Sequence, residues 1–237
     1  MVGDVLPFAM SLTVERGMPV SSATWRNVRS CCMMWSYNSI FMLLLSPVFW
    51  NNILRIKGSD LLNIICLDIE TTGLDPDSDE ILQLSIIDGS GEILFNEYIL
   101  PTEHDCWPSA QKVNHISPAM VQDCKPLLYY ADTIQRILED ADVIVGYNIR
   151  SFDLPFIFNG GIGYDAKLGA VVVDVMIAFA KIYGKHDDYH GGYKRQKLRT
   201  CASYYSYSKG KAHNSLDDAR ATLFCFYKIF GDPPKLS

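Results

Sequence analysis

The chain has 237 residues, 49% hydrophobic and 20% charged, proportions that exclude a disordered or fibrous protein and allow one large domain or a domain with an appendage. Its formal net charge of −6 excludes generic polyanion binding by the whole molecule, so a nucleic-acid role needs a local basic patch or bound cations. Seven cysteines with no CxxC pair argue against a disulfide framework or a zinc site and for a reducing, cytoplasmic setting.

Residues 1–60 read as a leader of uncertain structure. Between Arg29 and Arg55 no charge occurs, and the run "CCMMWSYNSIFMLLLSPVFW" (31–50) is apolar and aromatic. A membrane helix takes about 20 such residues, but Ser36, Asn38, Ser39, Ser46 and Pro47 interrupt this one. A membrane tether is therefore kept only as an alternative. The run also begins too late, and lacks a small-residue cleavage site, for a signal peptide.

From Leu61 to the end the pattern is that of an α/β domain. Strands are expected over 62–69, 80–88 and 92–100, the last two joined by a hairpin turn at "DGSG" (88–91). Helical patterns follow at 108–114 and 126–139, then a short strand at 142–146 and a helix entered near Phe152. "VVVD" (171–174) is another buried strand, and helices return at 174–183, 196–205 and 215–230. Three antiparallel strands followed by alternating helices and strands predict a mixed sheet covered by helices.

Within the first strand, "IICLDIETTGLDP" (64–76) places Asp68 and Glu70 on one face, because strand side chains alternate. Two like charges there repel each other and resist desolvation, and no capping role explains two acids inside a strand. Other acids sit where a mixed sheet presents functional groups, at strand ends and first helical turns. Asp153 follows a buried strand, and Asp217 and Asp218 open the last helix shortly after His213. Each has a plainer explanation alone. Asp153 could cap the helix entered through Leu154 and Pro155, and Ser215 with Asp218 has the spacing of a capping box.

Together these pieces resemble the DnaQ-like 3′–5′ exonucleases of the class with four acids and a histidine. The family includes ribonuclease T and the proofreading subunit of bacterial DNA polymerase III. Its first motif, acid-x-acid-Thr-Thr-Gly, is met by "DIETTG". Its second is met by Asn148, Phe152 and Asp153, and its third by His213 with Asp218 five positions on. The resemblance implies a ribonuclease H-like fold, an exonuclease domain over 61–237, and hydrolysis at a single-stranded 3′ end of DNA or RNA. It also implies two divalent cations, Mg²⁺ or Mn²⁺, held by Asp68, Glu70, Asp153 and Asp218. Hard cations take oxygen ligands, and such a pair stabilises charge on the attacking and leaving oxygens. His213 would take the proton of the attacking water, a task suited to imidazole.

By the same resemblance, the backbone of Thr71, Thr72 and Gly73 and the side chain of Leu74 would meet the 3′-terminal nucleotide. Asn148 and Phe152 would lie beside it, and His115 and Ile116 would belong to a loop that stacks on terminal bases. Between Lys181 and Lys211 the cations Lys185, Lys194, Arg195, Lys197, Arg199 and Lys209 lie among Tyr189, Tyr193, Tyr204, Tyr205 and Tyr207. That mixture suits single-stranded nucleic acid and equally suits a solvated surface. No polymerase domain is evident, so proofreading would require a DNA polymerase in trans. A catalytically silent binding module of the same fold is the main alternative, and a paired-carboxylate glycosidase a remote one.

Overall fold

The structure, a computed structural model, describes Trp50 and residues 62–163, 170–208 and 213–232. The apolar run at 31–49 lies outside the described residues, as do Lys209 and Lys211. Five strands form one sheet in the order β3-β2-β1-β4-β5: β1 (Ile64–Thr71), β2 (Ile81–Asp88), β3 (Ile93–Tyr98), β4 (Val143–Gly146) and β5 (Val171–Asp174). β1 and β3 pair antiparallel with β2, whereas β4 pairs parallel with β1 and β5 parallel with β4. This is the ribonuclease H-like arrangement of three antiparallel strands followed by parallel ones.

Seven helices complete the described residues: α1 (Pro108–Asn114), α2 (Pro118–Val121), α3 (Ala131–Asp140), α4 (Asp153–Asn159), α5 (Val175–Tyr183), α6 (Leu198–Tyr204) and α7 (Ser215–Phe230). Two departures from the expected pattern have local causes. Pro126 opens a 3₁₀ turn at Leu127–Tyr130, so the helix expected from 126 begins only at Ala131. His115 closes α1 in the left-handed region (φ 61°), and Ser117-Pro118 then starts the short α2.

The sheet is buried on both faces, and alternation along β1 assigns each side chain to one of them. Ile65, Leu67 and Ile69 join a core with Leu84, Ile86, Ile134, Leu138, Phe156 and Ile157, beneath α3 and α4. Ile64 and Cys66 join the opposite core with Phe179, Ala219, Leu223, Phe226 and Phe230, beneath α5 and α7. Each of the fully buried large side chains stabilises the fold by about 1.5–3 kcal/mol. α7 buries Ser215, Ala219, Thr222, Leu223, Phe226 and Phe230, a stripe at helical spacing that lays the whole helix along this face. Trp50, on the leader side of the expected boundary at 60, is buried in the same core. Its indole N–H donates to the Phe230 carbonyl at 3.0 Å.

Candidate active site

Asp68 and Glu70 continue the face of Ile64 and Cys66, so the surface under α7 changes from apolar to acidic halfway along β1. The register of β1 against β2 shifts just after Glu70. Such irregularities turn a strand and re-aim its side chains, and are common beside active sites. At the apolar end the Cys66 thiol donates to the Ala219 carbonyl of α7 at 3.3 Å. α7 therefore runs back along β1 with its N-terminus, the positive end of its dipole, at the acidic end.

A buried polar strip sets where that N-terminus lies. Ser85 and Gln83 on β2 are the cross-strand partners of Asp68 and Glu70. The Ser85 and Ser215 hydroxyls are 2.6 Å apart and fully buried, and Ser85 also donates to Asn96 on β3 at 2.8 Å. The Gln83 side-chain carbonyl accepts from the Ser215 N–H at 3.3 Å. Ser215 therefore docks the helix rather than capping it. Asn214 is the cap, accepting from the Asp217 N–H at 3.3 Å. The capping box suggested by Ser215 and Asp218 does not form; Asp218 instead accepts from the His213 N–H at 3.0 Å. That bond holds His213 in a left-handed turn (φ 65°) with its ring exposed.

The result brings Glu70, His213 and Asp218 together, with one ligand atom of each within 4.8 Å of the others. Asp153 arrives from the other side as the first residue of α4, 2% exposed, with Phe152 in the capping position. It is near enough that its charge acts on both Asp68 and Glu70. Burial, and then the charges of Asp153, Asp218 and Glu70, push the Asp68 carboxyl well above the usual carboxylate range. Burial, Asp218 and Asp153 raise Glu70 to about 8. Asp153 rises to about 7, chiefly by burial, while the backbone amides of Asp153 itself and Ile69 pull the other way. Burial raises Asp218 as well, against the opposing pull of His213. A cluster made of oxygen acceptors and one imidazole, with each carboxyl raised first by burial and then by neighbouring charge, fits a hard divalent cation.

The remaining residues singled out in the sequence fall around this cluster unevenly. Thr71 and Thr72 are buried, whereas Leu74 is 84% exposed beside them. Asn148 sits in the left-handed region (φ 66°) and Phe152 packs on Phe156 at 4.9 Å, half-buried in the core under α4. His115 is exposed, but Ile116 is buried with Leu82, Trp107 and Val121, so its side chain serves packing. Of the tyrosines in the basic stretch, Tyr189, Tyr193 and Tyr204 are exposed, the first two beside Lys185, Lys194 and Arg195. Tyr204 and Tyr205 pack on Phe179, and Tyr207 on Phe224.

One acid in the neighbourhood is not signalled by any motif. Asp174 ends β5, is 7% exposed and caps α5, accepting from the Met176 N–H at 3.0 Å and from the Asn148 N–H at 3.0 Å. It thus fixes the turn that leads to Asp153, and its charge adds to the rise of the Asp153 carboxyl. Its place at a strand end before a helical run is the signal that marks Asp153 too.

Comparison with known proteins gives the family. The family model described as exonuclease, of the ribonuclease T type, matches residues 65–226. A PolC-type DNA polymerase III of Latilactobacillus sakei is 27% identical over 188 residues, which are 78% of this chain and 12% of that polymerase. The exonuclease CP81 of Escherichia phage 186 is 28% identical over 167 residues, 67% of this chain and 84% of its own length. Escherichia coli exonuclease I, solved with a dA16 oligonucleotide, shares the fold with a TM-score of 0.59 at 19% identity, covering 72% of this chain and 41% of that one. The chain therefore spans about an eighth of the polymerase and about two fifths of exonuclease I. A match running from the first core strand into the last helix shows the family: this chain belongs to the exonucleases.

Proposed function

We propose that residues 61–237 form a divalent-metal-dependent 3′–5′ exonuclease acting on single-stranded DNA, with RNA as the second candidate. The observation that carries this reading is the meeting of Asp68, Glu70, Asp153 and Asp218, from three elements, around one cluster with His213 beside it. Four acids with no charge to balance one another are costly as they stand. They become favourable once two cations, Mg²⁺ or Mn²⁺, are held by these four side chains. When bound, those cations neutralise charge at the scissile phosphate and make a water more acidic.

The chain's own groups account for the rest. Asp68, flanked by the other acids, holds the centre of the cluster, with Glu70 and Asp218 on the His213 side and Asp153 on the α4 side. The exposed His213 ring accepts the proton of the attacking water at a ring nitrogen, and the Asp218 bond to its backbone fixes where the ring stands. Leu74 and the backbone of Thr71–Gly73 receive the terminal nucleotide, Asn148 and Phe152 flank it, and His115 stacks at its edge. The exposed cations and tyrosines of 185–199 lead the remaining strand in.

The name of the PolC-type relative supports a polymerase partner. We assign this chain the same kind of role in trans, in the cytoplasm. Among the described residues no helix is long and apolar enough to cross a membrane.

The test uses the full chain and 5′-labelled single-stranded DNA and RNA oligonucleotides, with Mg²⁺ or Mn²⁺, with chelator, and with Asp68→Ala. A metal-dependent ladder shortening from the 3′ end, lost in the variant, is the expected result. Binding without cleavage under each metal would replace this reading with the silent binding module.

A further inference from the structure

Resting on that reading, we propose that Asp79 is a positioning residue for the 3′-terminal nucleotide, acting through Leu74. Leu74 is a large apolar side chain, 84% exposed, a few residues beyond the paired acids of β1. A side chain so placed can guide a base only if its backbone cannot swing. A single carboxylate restrains it. Asp79 Oδ1 accepts from the Thr72 hydroxyl at 3.2 Å, and Asp79 Oδ2 accepts from the Asp75 N–H at 2.9 Å. The two oxygens therefore bracket Gly73-Leu74 from both ends.

Three further features tighten the bracket. A Cβ on Gly73 would stand 2.3 Å from each Asp79 oxygen, so the glycine is needed to let the carboxylate lie flat against the chain. The Asp79 N–H donates to the Asp75 carbonyl at 2.7 Å, and the Thr72 and Glu80 amides close the base of the loop at 2.8 and 2.9 Å. From outside, Asn159 at the end of α4 donates to the Pro76 carbonyl at 2.9 Å, and His104 Nε2 lies 3.7 Å from Asp79 Oδ1. His104 is itself fixed by Glu80 at 2.9 Å. None of these groups belongs to the acid cluster. Their joint effect is a rigid apolar wedge whose place is set before substrate arrives, which lowers the ordering cost of binding.

The test is a double-mutant cycle on the full chain, with steady-state cleavage of a single-stranded DNA oligonucleotide in Mn²⁺ and a thermal melt of each variant. Asp79→Ala is expected to raise KM about 10-fold while kcat stays within about threefold. In a Leu74→Ala background the same change is expected to add nothing to KM, because the wedge is already gone. Asp79→Asn, which keeps an acceptor for Asp75, should restore most of the affinity. An equal rise of KM with and without Leu74, or a fall confined to kcat, overturns the inference. Should Asp79→Ala fail to fold, Gly73→Ala probes the same junction by driving its Cβ into the carboxylate. An unchanged KM in that variant overturns the inference equally. If the parent chain leaves 3′ ends intact, the functional reading itself falls, and this inference falls with it.

Discussion

Replacing Glu70 with glutamine should make the metal-free protein more stable and leave it unable to use metal. Glu70 keeps its shape in that change and loses only its charge. Its carboxyl is raised from 4.5 to about 8 by burial, Asp218 and Asp153. A carboxyl raised on folding contributes stability below its unfolded value, and that contribution is lost as the pH climbs through the folded value. Here the loss runs from pH 4.5 up to about 8. At pH 7 the unfolded chain has released the proton and the metal-free fold has kept it. At 1.36 kcal/mol per pH unit, the span from 4.5 to 7 costs the fold about 3 kcal/mol. Glu70→Gln removes that cost, which for a chain of this size is a rise of about 6–12 °C in Tm.

Thermal melts in chelator at pH 7 and pH 5 read this directly. The gain should shrink to less than about 1 kcal/mol at pH 5, where the wild-type proton is nearly neutral in its effect. Adding Mg²⁺ or Mn²⁺ should raise the wild-type Tm by mass action and the variant's far less. A metal-free variant that melts with or below the wild type at pH 7 would refute the claim that burial and the neighbouring acids hold the Glu70 carboxyl up.

Asp68→Asn should cut cleavage by about 10³-fold or more at saturating Mn²⁺, because the electrostatic stabilisation at the phosphate is lost; a time course on a labelled oligonucleotide measures it. His213→Gln should lower kcat by about 10²–10⁴-fold while keeping the metal-induced rise in Tm, which separates proton transfer from ion binding. Ser215→Val removes one of the two partners of the buried Ser85 hydroxyl, leaving Asn96, and should cost about 0.5–1.5 kcal/mol in urea unfolding. The same change should lower kcat, since it loosens the end of α7 that carries Asp218.

The order of elements, the paired acids of β1 and the positions of Asp153, His213 and Asp218 were legible in the sequence. They depend on short-range rules: the period of a strand, the start of a helix, three motifs at fixed spacing. What was illegible depends on which elements meet. Gln83, Ser85 and Asn96 look like polar positions of half-exposed strands. Only the order β3-β2-β1 and the covering by α7 turn them into a buried strip that docks Ser215. Asp174 carries the same signal as Asp153, but its work on the Asn148 turn exists only because β5 lies beside β4. Ile116 shows the reverse case. A loop position that resembles a stacking residue is instead held inside by Trp107 and Val121.

The layout along β1 explains how the fold tolerates a site that works against it. One face of the strand is divided, with Ile64 and Cys66 under the body of α7, from Ala219 onward, and Asp68 and Glu70 towards its N-terminus. The electrostatic cost, about 3 kcal/mol for Glu70 alone at pH 7, is of the size gained by burying one or two side chains such as Phe226 or Leu223. Because a single helix carries both, the apolar half anchors what the acidic half would push away. The dipole of that helix and the polar strip from Asn96 to Ser215 hold its first turn in place without neutralising the acids. On the proposed function a cation takes the place of the proton that Glu70 retains, which links folding to metal binding through one helix. A weaker apolar stripe on α7 would therefore show first as lost metal affinity, before it showed as an unfolded protein.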